Sequence, residues 1–293
     1  MRRGRNILAY GLLSPAFLVV VLFLVYPLFL AVNLSLRAGQ TMNLSQINSL
    51  PLSLVNYAEV LSDPATWHSV WKSVEYTGLS VGISFLIGLG TALVLNRKFP
   101  GRRILRTLVL LPWAVPGVVT VLGFLWILDS SYGVMNYLLR SLHLISTDVA
   151  WFADPSTAMI AVVIPTVWKG YPFFTLMLLA ALQSIPGDLY EAARVDGAGS
   201  TQLFRFITWP GIRTTATLAI VLQVLWVFRE FDYIYATTGG GPVGATETLA
   251  IRIYNEAFGY FHMTTASALG MLTVLICGLV VFMAYPVLRK EFF

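Results

Sequence analysis

The stretch Ser184-Ile-Pro-Gly-Asp-Leu-Tyr-Glu-Ala-Ala-Arg-Val-Asp-Gly-Ala-Gly-Ser-Thr-Gln-Leu-Phe-Arg-Phe-Ile-Thr-Trp-Pro-Gly-Ile-Arg213 decides how the rest of the chain is read. It lies between two apolar runs, each long enough to cross a hydrocarbon core of about 30 Å. It is itself amphipathic and cannot cross, because Asp188, Glu191, Arg194, Asp196, Arg205 and Arg213 interrupt it. Lipid on both sides therefore leaves it at a membrane surface, within reach of something outside the bilayer.

Composition supports lipid as the main solvent. The 293 residues are 57% hydrophobic and 11% charged, with a mean hydropathy of +0.75. A soluble domain carries about 25% charged residues. The formal charge of +5 fits membrane orientation better than nucleic acid, because its distribution is lopsided. The lone Cys277 can form neither an internal disulfide nor a cysteine metal site. Met1-Arg-Arg-Gly-Arg5 resembles the start of a signal peptide. The apolar run after it is about 25 residues long and lacks a small-residue cleavage site, so it reads as a retained first span.

Six stretches are apolar enough to cross: roughly 9–36, 70–96, 104–128, 156–183, 214–237 and 264–288. In lipid every backbone group must be bonded within the segment or in a closed barrel. Unbroken apolar runs exclude the alternating pattern of a barrel. The expected fold is an all-α integral membrane protein, one transmembrane domain over 1–293, with a helical stretch at 184–213 between spans four and five. One side of the spans holds 13 Lys and Arg, the other 4, with Lys169 and Arg229 inside spans. The positive-inside rule then places both termini and the 184–213 stretch in the cytoplasm.

Within the second span Ser80, Ser84, Gly88 and Ala92 recur at i+4, with Gly78 and Gly82 beside them. Small residues let helix backbones approach, which predicts a packing face. The third span contains Pro112-Trp-Ala-Val-Pro116-Gly117. Two prolines four apart bend or break a helix, as a static kink or beside a cavity. Thr237-Thr-Gly-Gly-Gly-Pro242 turns the chain. It is not a nucleotide loop: no Gly-Lys-Ser/Thr follows it or occurs elsewhere. No metalloprotease, nucleophile-elbow or paired Cys/His spacing occurs either, so enzyme chemistry is not expected. His68, His143 and His262 fall near outer span ends and read as solvated.

In the opening stretch, Asp188 can cap a helix with Glu191 three residues on. Leu189 to Val195 makes one to two turns, and Gly197 and Gly199 interrupt it. Leu203, Phe204, Ile207 and Ile212 then form a second apolar face. The expectation is helix, glycine turn, amphipathic helix; periodicity alone leaves open whether a partner binds it.

The residues themselves are more specific. Glu191-Ala192-Ala193, Gly197 and Ile207-x-Trp209-Pro210 resemble the E-A-A-x-x-x-G-x9-I-x-L-P signature of membrane subunits of binding-protein-dependent ABC importers. Only the Leu slot departs, holding Trp209, a large apolar residue that still fits. Tyr132-Gly-Val-Met-Asn136, Trp168, Ala181-Leu-Gln-Ser-Ile-Pro186, Phe231-Asp-Tyr-Ile-Tyr235, Thr238-Gly-Gly-Gly-Pro242 and Tyr254-Asn-Glu-Ala-Phe258 resemble the carbohydrate-uptake, maltose-type branch. The resemblance implies a permease subunit in a prokaryotic inner membrane. It implies a second permease (in this branch a different chain), two cytoplasmic ATPase subunits that bind the ATP and Mg, and an extracytoplasmic solute-binding protein. No cofactor is expected in this chain. Glu191, Ala192, Ala193, Asp196 and Gly197 carry over as ATPase-coupling positions, with Glu191 the charged contact, the alanines allowing close approach and Gly197 making the turn.

Charges inside spans read first as functional. On the fifth span Gln223, Trp226, Arg229, Glu230 and Tyr233 share an arc of about 120°, at about 100° per residue, with Asp232 just outside it. On the fourth span Trp168, Lys169, Tyr171 and Phe173 lie near mid-membrane. Aromatic faces with a few hydrogen-bonding groups suit a sugar or polyol. The expected substrate path is therefore Trp168, Lys169, Tyr171, Phe173, Trp226, Arg229, Glu230, Asp232 and Tyr233. The plainer alternative is that Arg229 and Lys169 pair with carboxylates to hold helices together. A rival class, an ion-gradient-driven secondary transporter or channel, predicts repeated halves and midplane carboxylates; neither stands out here.

Overall fold

The computed structural model describes residues 13–40 and 49–292. Among these the chain is helical, with no strand beyond one isolated bridge between Arg37 and Leu52. In chain order the helices are α1 Leu13–Ser35, α2 Val55–Ser62, α3 Pro64–Asn96, α4 Arg102–Ala114, α5 Gly117–Ile127 and α6 Val134–Ser141. Then follow α7 Pro155–Ser184, α8 Gly187–Val195, α9 Ser200–Val227, α10 Asp232–Thr237, α11 Leu249–Tyr254 and α12 Met263–Phe292. Five of them, α1, α3, α7, α9 and α12, are long and apolar enough to cross a membrane, and α4 with α5 makes a sixth if the pair is one broken span. Residues 9–12 of the first expected span lie outside the described residues.

The break between α4 and α5 is a bend of 95°. Only the second proline of Pro112-Trp-Ala-Val-Pro116 causes it. Pro112 is accommodated inside α4, whereas Val115 is extended, with φ −71° and ψ 131°. The ring of the following proline excludes the α conformation at that position.

The helix that carries the fifth expected span, 214–237, has different ends from that span. The helix begins at Ser200, where the Gly199 N–H donates to Gln202 Oε1 at 2.8 Å. It runs through Pro210 by way of a π turn at Phe204–Thr208, in which the Trp209 N–H bonds the carbonyl of Phe204 five residues back. The second amphipathic helix expected in the opening stretch is thus the first part of α9. The helix stops at Val227, and Asp232 opens a separate α10. The cap expected at Asp188 is also not made. The N-cap of α8 is Pro186, with Asp188 in the first turn and Arg194 in the last, where each charge interacts favourably with the helix dipole.

The chain divides into two compact units, Met1–Trp67 with Arg252–Ile276, and His68–Ile251 with Cys277–Phe293. In the first, Asn56 of α2 donates to the carbonyls of Ser35 at 3.0 Å and Arg37 at 2.8 Å. Arg252 bonds Asp63, and His262 Nδ1 lies 3.0 Å from Glu256, so His262 is paired rather than simply solvated.

The second unit holds the larger core. Lipid tails are as apolar as leucine, so helices in a membrane associate by close packing and internal hydrogen bonds. The expected small-residue face on α3 does this: Ser80, Ser84, Gly88 and Ala92 are all buried. A Cβ on Gly88 would stand 2.4 Å from the Cβ of Phe174 and 3.1 Å from backbone atoms of Tyr171 and Thr175. The backbones of α3 and α7 therefore touch there, and only glycine fits. Tyr76 to Thr166 at 2.6 Å and Thr91 to Thr175 at 2.6 Å lock the same pair of helices. Gly78 and Gly82 face away, and a Cβ on either would meet no heavy atom within 4 Å. Ile212, Ala216 and Ala219 bring α9 into the same core.

Candidate functional site

A cavity of about 160 Å³ opens between α4, α7, α9 and α10. About 10–15 Å³ on this measure holds one water, so the space takes several. Its wall is Trp113, Thr166, Lys169, Gly170, Phe173, Gln223, Trp226, Val227, Glu230 and Tyr233. The aromatic rings are held by each other: Phe173 and Trp226 meet edge to face at 5.3 Å. Helical spacing puts Thr166, Lys169, Gly170 and Phe173 on one face of α7, and Gln223, Trp226 and Val227 on one face of α9. Glu230 and Tyr233 arrive from beyond the end of α9. Their backbone is not a continuation of that helix, so the shared arc expected for residues 223–233 does not exist. They reach the cavity because the chain turns at Phe228–Phe231 and restarts, with the Tyr233 N–H 3.4 Å from Glu230 Oε1.

Of the nine residues expected along a solute path, five line this cavity: Lys169, Phe173, Trp226, Glu230 and Tyr233. Four do not. Trp168 turns to the other side of α7 and meets Phe124 of α5 edge to face at 5.7 Å. Tyr171 is half-buried outside the wall, its carbonyl accepting from Thr175 at 3.1 Å. Arg229 is exposed, and its Nε donates back to the Leu225 carbonyl at 2.9 Å. Asp232 is exposed in the first turn of α10. Trp113, Thr166 and Gly170 line the cavity without having been singled out. The signal for Trp113 was present, since it sits between the two prolines.

Among the described residues Lys169 meets no carboxylate. Its ammonium donates to the carbonyl of Val115 and, at 3.4 Å, to that of Trp113. These carbonyls lie at the C-terminal end of α4, where the break removes their helical donors. A cation at a helix C-terminus is also favoured by the dipole. Lys169 thus closes the broken span from the cavity side.

Gln223 is only 7% exposed, yet its Oε1 has no hydrogen-bond partner. Buried polar groups are nearly always bonded, so an orphan acceptor facing a cavity marks a place where something with a donor fits. Gly170 makes room for it: a Cβ there would lie 3.0 Å from Gln223 Nε2 and 3.1 Å from Ser84 Oγ.

The opening stretch forms the other candidate surface. No residue of α8 is buried, and Val195 is 88% exposed. Gly197 ends the helix at φ +84°, with its N–H on the Arg194 carbonyl and that of Ala198 on the Ala193 carbonyl. This is a glycine C-cap. Ala193, Asp196 and Gly197 line a groove of about 270 Å³ with Ala198, Gln202, Leu203, Phe206 and Ile207. Glu191 and Ala192 are exposed on α8 outside its lining. The stretch is also tied to the spans. The Tyr190 and Thr208 hydroxyls lie 3.0 Å apart, and Ile185 fills the space beside Gly211.

Comparison with known proteins accords with this arrangement. The chain is 38% identical over 270 residues to the trehalose/maltose transport system permease protein MalF of Thermococcus litoralis, covering 91% of this chain and 88% of the relative. It is 35% identical over 271 residues to the sulfoquinovosyl glycerol transport system permease protein SmoG of Agrobacterium fabrum, covering 92% and 86%. A solved bacterial ABC transporter involved in import of the acidic polysaccharide alginate has the same fold, with TM-score 0.83, 22% identity, and coverage of 99% of this chain and 98% of that one. Residues 84–292 match the family described as binding-protein-dependent transport system inner membrane component. By family match and by extended identity, this chain belongs to the binding-protein-dependent transport system inner membrane components.

Proposed function

We propose that the chain is the permease subunit of an ATP-driven importer for a sugar or related polyol, working as one transmembrane domain. The observation that carries the cargo assignment is the cavity between α4, α7, α9 and α10. Its aromatic walls suit the C–H faces of a sugar ring, and the buried Gln223 oxygen suits a hydroxyl donor. Relatives named for trehalose/maltose and sulfoquinovosyl glycerol support the same class of solute. Lys169, Phe173, Trp226, Glu230 and Tyr233 are the core of the path, with Gln223 and Trp113 added to it. Trp168, Tyr171, Arg229 and Asp232 lie around it and act less directly.

The exposed α8 and the groove behind it serve as this chain's contact with an ATPase subunit; two such subunits, which bind the ATP and Mg, belong to the complex. Glu191 and Ala192 meet the ATPase surface, while Ala193, Asp196 and Gly197 shape the groove. An extracytoplasmic binding protein delivers solute; a solved relative of the same fold is in complex with an alginate pentasaccharide-bound periplasmic protein. A second, different permease completes the pathway. Both termini and α8 lie on the cytoplasmic face of a prokaryotic inner membrane, as the Lys and Arg distribution supports. A ligand or an engine contact drives alternation only through its different strength in the two states. An ion-gradient mechanism is not favoured by membership of a binding-protein-dependent family.

Reconstitution tests this directly. The chain is co-purified with its candidate ATPase, second permease and binding protein, and uptake of labelled sugars into ATP-loaded proteoliposomes is measured. Uptake should require every subunit and ATP. Uptake by the permeases alone would overturn the proposal.

A further inference from the structure

A second cavity, of about 260 Å³, lies between α3, α4 and α7 at their Arg-rich ends, apart from the solute cavity. Its walls are mostly apolar: Leu95 of α3, Val109 and Leu110 of α4, and Leu176 and Leu179 of α7, with the Thr175 hydroxyl already bonded to Thr91 at 2.6 Å. Its mouth is cationic. Arg106 lines it, and Arg102 lies one turn earlier on the same face of α4. The Gln183 amide oxygen, oriented to satisfy both groups, accepts from Arg102 Nη2 at 3.1 Å and Arg106 Nη2 at 2.7 Å.

A neutral amide holds these two guanidinium groups in place without neutralising them. Among the described residues no carboxylate pairs with either, and the Nε of each is buried without a hydrogen-bond partner. Two fixed, uncompensated positive charges at the rim of an apolar slot are unfavourable unless an anion joins them. Guanidinium donors match phosphate oxygens in geometry. Arg97, Lys98 and Arg103 are exposed in the same segment and add to the positive field. The slot opens at the surface of the chain, since Leu176 is among the exposed apolar residues of α7. A free phosphate would satisfy the arginines and leave the apolar walls unexplained; an acyl chain alone would do the reverse. Basic pockets between spans at the cytoplasmic surface are sites for anionic headgroups.

We propose that this cavity is a binding site for one anionic phospholipid, its phosphodiester on Arg102 and Arg106 and an acyl chain between Leu110 and Leu176. Gln183 lies in the last turn of α7, four residues before α8 begins. The lipid therefore sits where α7 passes into the surface helix, and its occupancy sets how firmly that junction is held.

The test is native mass spectrometry of the purified complex exchanged into mixed micelles of phosphatidylglycerol or phosphatidylcholine. Wild type should retain phosphatidylglycerol at least tenfold more than phosphatidylcholine. Arg102→Gln with Arg106→Gln should abolish the preference. Leu176→Trp, which fills the slot and leaves both arginines, should lower retention of either lipid. Inorganic phosphate in excess should not displace the bound lipid. Equal retention of the two lipids by wild type, or unchanged preference in the double Gln variant, would overturn the proposal. So would displacement by inorganic phosphate or unchanged retention in Leu176→Trp; the first would indicate a simple anion site and the second an occupant outside the slot. Sugar uptake is not the readout, so failure of the cargo assignment leaves this result interpretable.

Discussion

The ammonium of Lys169 donates to the carbonyl of Val115, joining the middle of α7 to the point where α4 and α5 part. A lysine inside a membrane span is expected to find a carboxylate or a cavity. Here it finds both a cavity and the backbone of a proline-broken helix. The same side chain lines the cavity and bonds the carbonyls at the break, so one residue contacts both.

Lys169→Met should separate these roles from simple packing. It keeps the length of the side chain and removes every donor. A hydrogen bond to a charged group contributes about 1.5–3 kcal/mol, so thermal stability of the purified complex should fall measurably, and uptake should fall at least tenfold. Lys169→Arg, which can still donate to both carbonyls, should recover most of the stability. Equal melting of Lys169→Met and wild type would show that the break is held by other contacts.

Gln223→Leu should have opposite effects on stability and transport. The Oε1 of Gln223 is buried and unpartnered, and removing such an atom is neutral or stabilising. Melting should therefore be unchanged or higher while sugar uptake falls. Trp226→Ala should also reduce uptake strongly, whereas Asp232→Ala, whose side chain is outside the cavity, should reduce it less. Concentration-dependent uptake in proteoliposomes measures all three, and a larger defect in Asp232→Ala would move the path away from this cavity.

Gly88 and Gly78 form a matched pair on α3. Gly88→Ala forces a Cβ to 2.4 Å from that of Phe174, and overpacking of this kind costs about 1–3 kcal/mol. Gly78→Ala meets nothing within 4 Å and should leave the isolated chain as stable as wild type. Scanning fluorimetry of the two variants checks this; similar melting would mean that α3 can shift along α7.

At the end of α8, Gly197→Ala places a side chain where φ is +84°. Left-handed backbone costs a non-glycine residue about 1–2 kcal/mol, which distorts the exposed turn and the groove behind it. ATP hydrolysis by the assembled complex should lose its stimulation by loaded binding protein, and Glu191→Lys should weaken co-purification of the ATPase. Gly187→Ala, with open space around it, is the control. Retained stimulation in Gly197→Ala would remove this turn from the coupling path.

Acid should loosen the start of α7. Asp154 caps it, accepting from the Ser156 N–H at 2.8 Å and its hydroxyl at 2.7 Å. These bonds hold the carboxyl below its ordinary value, the backbone bond contributing most. A depressed folded value means the stabilisation is complete above the ordinary aspartate range and is lost as pH falls through the folded value. Asp154→Asn keeps an acceptor but not the titration, so the difference between its melting at pH 6 and near pH 3 should be smaller than in wild type. Asp154→Ala should be less stable at both. An identical acid response in Asp154→Asn would assign the acid sensitivity elsewhere.

Much of the fold was legible in the residues because a bilayer is a demanding solvent. Apolar length marks a span, and an interruption such as 184–213 must lie outside it. The Glu191-Ala-Ala motif with Gly197, the i+4 row of Ser80, Ser84, Gly88 and Ala92, and the breaking power of Pro116 could all be read one residue at a time, since each rests on local chemistry. What depended on tertiary structure was where helices start and stop inside permitted stretches. The helix that carries span five begins at Ser200, with a π turn at Phe204–Thr208 just before Pro210, and ends at Val227, before the chain restarts at Asp232; apolar length alone does not fix where a helix starts and stops. That choice put Glu230 and Tyr233 into the cavity and left Arg229 and Asp232 outside. It also gave Lys169 backbone carbonyls as partners, since a donor deep in a span bonds whatever acceptor the neighbouring helix leaves exposed, and only the path of α4 decides which that is.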